Sequence, residues 1–225
     1  MVICVYRSNP KAIESLVPEP LQPAPGALVY AWQTDFQVLG VGSYHEAVIS
    51  LPVEFQGKSG QYMAYLYLDS DTAIAAGREI WGFPKKYARF PSSVREDILT
   101  KKVERGGVEL FKISLQSMKP GKKEDLVALR NPIFNLKIIP SVRKGAPADV
   151  MQLTATTLQN FIVHRVMEGS ATIEFGRSTA DPVYLLQTIE VIKGLYCELD
   201  FDLPHGEVIY EYGEPPKEKR SAASS

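Results

Sequence analysis

Alternating apolar and polar positions recur along most of this chain, in runs short enough for strands and separated by Gly, Pro, Asn and Asp. "VICVY" opens with β-branched residues, and "ALVYAWQTDFQVLGV", "HEAVISLPVEF" and "GQYMAYLYL" read as long strands. In the last of these, Tyr62, Ala64, Leu66 and Leu68 alternate with Met63, Tyr65 and Tyr67, and three such strands in succession predict an antiparallel meander. Two segments break the period of two. "SNPKAIESLVPEPL" predicts a short helix capped by Ser8 or Asn9, with Pro10 in its first turn and Pro18 as its stop. "SDTAIAAGREIWG" predicts another, capped by Ser70 or Asp71 and ended by Gly82. Beyond it a β run begins at Lys85, and Gly106-Gly107 supplies the positive φ angles of a tight hairpin between two β-prone arms. "IFNLKIIPSV", "DVMQLTATTLQNFIVHRV", "SATIEFG", "IEVIKGLYCELDFDL" and "GEVIYEY" add further strands. So many strands in one chain require two packed sheets or a closed barrel, and closure hides the edges on which strands aggregate. The predicted class is mainly β (α+β), with few short helices.

At 225 residues the chain can bury a core without staples, and 45% hydrophobic with 23% charged residues is the balance of a soluble globular protein. A net charge of −1 and a pI near 6.3 give no basic field for nucleic acid or an anionic membrane surface, so neither is an expected partner. A small neutral or anionic molecule is the class that remains. No apolar run approaches the ~18 residues of a membrane span, and no basic-then-apolar N-terminus marks secretion. Cys4 and Cys197 lie in apolar stretches that suit buried thiols, and a cytoplasmic address fits them. No linker or repeat divides the chain, so one domain over residues 1–212 is expected. A polar, proline-containing tail from 213 to 225 has too little apolar content to order itself.

The candidate chemistry lies in "GREIWGFPKKYARF", Gly77 to Phe90, where Lys85 and Lys86 stand side by side among aromatic residues. Two solvated side chains at a strand edge are one account of the pair. The other follows from alternation: if both lysines lie on the strand that continues "YARF", one faces the interior and the other does not. An interior ammonium is desolvated, which disfavours its charged form and makes a nucleophilic amine available. Such an amine attacks a ketone to give an imine, whose protonated form accepts electrons from a bond breaking at the neighbouring carbon.

Taken together, "VYRSNPKAIESLVPEPL", "GQYMAYLYLDSDTAIAAGREIWGFPKK", "NLKIIP" and "GEVIYEY" resemble the acetoacetate decarboxylase family and its superfamily, in matching order over nearly the whole chain. The specific part is "GRE" followed after four residues by "PKK", behind the right strand and helix pattern. The resemblance implies that Lys85 is a Schiff-base lysine and Lys86 the neighbour credited with activating it, acetoacetate decarboxylase being the standing example of such activation. It also implies a closed, cone-like antiparallel β-barrel, a homo-oligomer, a small keto acid as substrate, no metal and no organic cofactor.

By register from the lysine, the resemblance places one pocket carboxylate on Glu46 and a second acid near Ala31 or Trp32, where this chain has none. Gln33 and Asp35 are the nearest polar residues, and Gln33 would share a strand face with Ala31, which makes it a candidate for substrate binding. The family arginine that meets the substrate carboxylate lies upstream of the first strand, before Met1. The lost acid makes the pocket more apolar and suits a larger hydrophobic ketone. Three functions therefore stay open: a decarboxylase of a β-keto acid, an aldolase, dehydratase or cyclase using the same lysine, and a non-catalytic barrel that binds apolar small molecules. Arg78 either pairs with Glu79 or reaches a substrate carboxylate, while Trp81 and Phe83 read as pocket wall or core. His45 would face away from Glu46, and His164 and His205 have no companions at metal-ligand spacing. Tyr210 and Tyr212 read as core residues of the last strand, although related aldolase-dehydratases use a C-terminal tyrosine.

Overall fold

Valine and isoleucine are stiff at χ1 and, like tyrosine, pack well on a pleated surface, so the segments these residues dominate form strands throughout the molecule. The structure is a computed structural model that describes residues 1–213; the expected tail beyond Gly213 lies outside the described residues. The chain begins with β1 (Val2–Arg7), α1 (Pro10–Glu14) and the short β2 (Gln22–Pro23). The long strands β3 (Leu28–Val38), β4 (Gly42–Phe55) and β5 (Lys58–Leu68) follow as the expected meander. Helix α2 (Asp71–Ala76) runs into a π turn (Gly77–Trp81), after which come β6 (Lys85–Tyr87), β7 (Ser92–Arg95), β8 (Ile98–Arg105) and β9 (Val108–Pro120). The last third holds a 3-10 helix (Lys123–Arg130), β10 (Ile133–Ile139), β11 (Val150–Thr156), β12 (Gln159–Phe175), a second 3-10 turn (Val183–Leu186), β13 (Glu190–Asp202) and β14 (Glu207–Glu211).

Local chemistry settles several boundaries. Asn9, not Ser8, caps α1, its side chain accepting from the Lys11 N–H, and Ser70 caps α2 by accepting from the Ala73 N–H. Gly106 and Gly107 turn the β8–β9 hairpin with φ of 58° and 79°. The stretch read from sequence as one strand, "DVMQLTATTLQNFIVHRV", breaks between β11 and β12, and β12 continues unbroken through "SATIEF".

All fourteen strands belong to one sheet, whose main ladder runs β14-β11-β10-β5-β4-β3-β1-β13-β12-β9-β8-β7, with β2 beside β4 and β6 beside β5. The mainly β class with few short helices is thus the observed one. Two details differ from the barrel expected from the sequence. Among the described residues no ladder joins β14 to β7, so the sheet is not closed by hydrogen bonds. Nor is it wholly antiparallel, because β5 pairs in parallel with both β6 and β10. The β5–β6 pairing has a simple cause: α2 and the π turn form a crossover, the connection that parallel neighbours require.

The period-two pattern of β3 and β4 separates two cores, and β5 joins them with one break: a bulge at Ala64 shifts its alternation, so Met63 shares a face with Leu66 and Leu68 where the sequence predicts opposite faces. Ala31, Ala47, Ile49, Leu51 and Tyr67 point to one face, into a cluster that also contains Phe111, Ile113 and Leu115 of β9. Because the ladder places β9 far from β4, the sheet must fold over on itself to bring these residues together. Trp32, Val48, Met63, Leu66 and Leu68 point to the other face, together with Phe83, Ile133, Val166 and Leu195. This second face walls a cavity of about 880 Å³.

Candidate active site

Lys85 reaches that cavity through a tightly constrained turn. The Phe83 N–H donates to the Gly77 carbonyl, and Gly82 adopts a left-handed φ of 79° where a Cβ would lie 2.7 Å from the Lys137 Cα. The chain then enters β6 with Lys85 opposite Leu66 of β5. Lys85 is 8% exposed, and its Nζ lies 5.5 Å from the Phe83 ring centroid and 5.9 Å from that of Tyr44. Its aliphatic stem crosses Gly77 so closely that a Cβ there would fall 2.5 Å from Cδ and 2.6 Å from Cε.

Glu46 comes from β4, opposite Thr34 of β3 and Leu68 of β5. Its Oε2 is 3.1 Å from Lys85 Nζ, and both side chains are buried. The contact is that of an ion pair, but its angle leaves Oε2 without an aligned hydrogen bond. Burial pushes the Glu46 carboxyl above the usual carboxylate range, and the charge of Lys85 opposes that push. The Tyr44 hydroxyl is likewise raised by burial, with a smaller contribution from the Glu46 charge. The pair thus couples a primary amine to a carboxyl that holds a proton more readily than an exposed one.

Lys86 faces the other way. Its Nζ is 2.7 Å from Asp181 Oδ1, while Arg105 Nε is 3.1 Å from Oδ2 and the Tyr67 hydroxyl donates to Oδ1. Burial works against the Asp181 carboxylate, yet the hydrogen bonds from Lys86 and Tyr67 and the charges of Lys86 and Arg105 hold its pKa below the ordinary value. One lysine of the pair is interior and the other is not, as strand alternation requires.

The remaining expected residues divide. Trp81 and Phe83 both line the cavity, and Trp81 is fixed by its Nε1–H, which donates to the Pro204 carbonyl, and by stacking on His205. Arg78 is exposed and does not line the cavity; its Nη1 donates to the backbone carbonyl of Lys85. Gln33 borders the cavity, but by register it alternates with Thr34, which stands opposite Glu46, and its amide donates to the Lys101 carbonyl. Asp35 is held by Lys101 at 2.6 Å. His45 turns to Asp69 at 2.7 Å, away from Glu46, and neither Tyr210 nor Tyr212 lines the cavity. Sequence reasoning missed Thr34, Ser50 and Gln61, which line the cavity with polar side chains; alternation on β3 and β4 was the signal available for the first two, whereas Gln61 reaches the cavity through the break in β5 alternation at Ala64. Among the described residues no group of three or more His, Cys, Asp or Glu side chains is arranged to hold a metal. No helix among them is long and apolar enough to cross a membrane.

A folded-over β sheet thus encloses a cavity with aromatic walls in which a buried amine stands beside a buried carboxyl. The family model described as acetoacetate decarboxylase matches residues 1–213, and the chain belongs to the acetoacetate decarboxylase family, a family of carboxy-lyases by name. It is 33% identical over 215 residues to the acetoacetate decarboxylase of Ralstonia nicotianae, an alignment covering 93% of this chain and 85% of that relative. The acetoacetate decarboxylase of Burkholderia vietnamiensis is 33% identical over 213 residues, covering 94% of this chain and 86% of the relative. The crystal structure of acetoacetate decarboxylase from Legionella pneumophila superposes with a TM-score of 0.88 at 27% identity, covering 94% of this chain and 84% of that one.

Proposed function

We propose that this chain is a Schiff-base-forming lyase that decarboxylates a β-keto acid through an imine on Lys85. The observation that carries the reading is the 3.1 Å contact between Lys85 Nζ and Glu46 Oε2 inside the aromatic cavity. The Lys85 amine attacks the ketone carbon, and loss of water gives a protonated imine. The bond to the carboxylate then breaks, CO₂ leaves, and its electron pair moves through the neighbouring carbon to the iminium nitrogen, forming an enamine. A proton returns to that carbon and water releases the ketone, regenerating the amine. Glu46, whose pKa burial has raised, is placed to take and return these protons. Phe83 and Tyr44 keep water from the nitrogen, and the Arg78 bond to the Lys85 carbonyl holds β6 in place.

The test is reduction with borohydride in the presence of acetoacetate. Evolution of CO₂ followed by an isopropyl group on the peptide containing Lys85 is the expected result; absence of a Lys85 adduct overturns the proposal. One observation favours a second reading, an aldolase or dehydratase using the same imine. A cavity of about 880 Å³ is large for a compact keto acid, since pockets of that size hold drug-sized ligands. That reading is distinguished by trapping of pyruvate or a longer keto acid on Lys85 without release of CO₂.

A further inference from the structure

The cavity extends past the reacting amine. Its outer rim is formed by the β3–β4 hairpin around Leu39, which is fully exposed, and by the end of β13 from Glu198 to Leu203. Moving inward along β4 from that hairpin, the wall passes Tyr44 and Glu46 and reaches Ser50. Lys85 lies level with Val48, since both pair with Leu66, and its amine turns back toward Glu46 and the rim. Ser50 and the neighbouring Gln61 of β5 therefore lie deeper than the amine, at the inner end.

These two residues form a polar floor. Ser50 is 2% exposed and Gln61 6%, both line the cavity, and the Ser50 hydroxyl donates to Gln61 Oε1 at 3.1 Å. That bond fixes the amide, and among the described residues nothing accepts from its Nε2. Ser50 lies on the Glu46 face of β4 by simple alternation, and a bulge at Ala64 of β5, which is left unpaired where Ile49 faces Tyr65 and Ser50 faces Met63, turns Met63 and Gln61 to the same cavity face, as bulges at sites commonly do. Between the floor and the amine the wall is apolar, with Met63, Leu66 and Trp32. The Nε2 donor of this cavity-lining amide is therefore available to a ligand acceptor.

We infer that Gln61, oriented by Ser50, is a specificity-determining residue, and that the substrate is an elongated keto compound carrying a hydrogen-bond-accepting oxygen at its distal end. The inference deepens the function proposed above and rests on it for the keto group. Four residues separate Glu46 from Ser50, about 13 Å of strand. Allowing about 3 Å for contact at each end, the distal oxygen sits about six bonds from the keto carbon at about 1.2 Å per bond. The apolar middle of such a chain meets Met63, Leu66 and Trp32, and its carboxylate is left on the rim side of Lys85.

Calorimetry on the full-length Lys85→Met protein, which forms no imine, tests the floor separately from the chemistry. The probes are methyl pentyl ketone and its ω-hydroxy counterpart, whose hydroxyl oxygen is six bonds from the keto carbon. The hydroxy ketone is expected to bind about tenfold tighter, the effect of one added hydrogen bond to a buried donor. Gln61→Met, close in shape and apolar, is expected to erase the preference. Ser50→Ala, which frees the amide to rotate, is expected to reduce it and serves as the second variant if Gln61→Met does not fold. Equal or weaker binding of the hydroxy ketone, or a preference that survives both substitutions, overturns the inference. Failure of wild-type protein to trap any ketone on Lys85 would instead remove the imine while leaving this binding result readable.

Discussion

Gly77 and Lys85 are packed against each other so closely that the glycine's missing Cβ is part of the lysine's seat: an added methyl would fall 2.5 Å from Cδ and 2.6 Å from Cε. The backbone at Gly77 has φ −63° and ψ −41°, ordinary right-handed helical values, so the requirement is for space and not for conformational freedom. Gly77→Ala should therefore leave the fold intact or slightly stabilise it, since alanine is favoured over glycine in a helical turn by about 0.5–1 kcal/mol. The displaced amine, however, loses its position against Glu46, and a misplacement of about 1 Å can cost on the order of 100-fold in rate. Thermal unfolding and the rate of borohydride trapping, measured on the same preparation, check both halves. A variant that traps as fast as wild type removes the packing argument.

Lys86 should be dispensable for the chemistry. Its ammonium is engaged by Asp181 on the opposite face of β6, so Lys86→Met is expected to retain trapping at Lys85 within a few-fold while losing stability. Asp181→Asn should cost more, because one buried carboxylate gathers Lys86, Arg105 and Tyr67 at once. Both cations are partly exposed and can hydrate when released, which limits the loss to about 2 kcal/mol. The folded state holds the Asp181 carboxyl below its ordinary value of 3.8, so this stabilisation is present above that pH and is lost as pH falls through the lower folded value. Acid unfolding curves should show that loss in wild type and not in Asp181→Asn.

Neither thiol should react in the folded protein. Burial pushes Cys4 up to about 12 and Cys197 up to about 11, and both are free and fully enclosed. Since the thiolate is the reactive form, a disulfide reagent at pH near 8 is expected to modify neither cysteine before unfolding and both after it. Rapid modification of native protein at Cys197, which also borders the cavity, would show that the cavity wall opens.

How much of this was legible beforehand depended on sequence separation. The β3–β5 meander, the cap-and-stop signals of both helices and the interior placement of one lysine follow from short-range periodicity, and Glu46 was reachable through the family register. Asp181 was not, because it meets Lys86 across 95 positions of sequence and only the fold-over of the sheet brings them together. The same holds for Arg105. Gln33 and Arg78 were legible as polar residues near the lysine, but their partners are backbone carbonyls of Lys101 and Lys85, contacts that no side-chain pattern announces. Gly77 was visible in "GRE" only as a possible helix feature; its packing against Lys85 depends on a π turn, and nothing local in the sequence specifies one. The parallel placement of β10 beside β5 is another long-range pairing, and it is why a purely antiparallel picture fell short.

Glu46 offers the test with the clearest sign. Burial raises its carboxyl above the ordinary value of 4.5, so in the window between that value and the folded one the native state binds more protons than the unfolded state. Stability should accordingly decrease as pH rises through that window, opposite to the Asp181 effect, and Glu46→Gln should abolish this decrease. For catalysis the same substitution keeps the shape and removes the proton acceptor 3.1 Å from Lys85 Nζ. Imine formation needs the amine and should persist, whereas the proton transfers that follow should slow by about 100-fold, the lower end of what general acid–base catalysis contributes. The prediction is therefore a split: borohydride trapping of added acetone, which needs only imine formation on Lys85, near the wild-type level, with kcat for acetoacetate down and its pH dependence flattened on the limb that Glu46 controls. If trapping and turnover fall together, Glu46 acts by positioning the amine, and the proton-transfer role assigned to it is wrong.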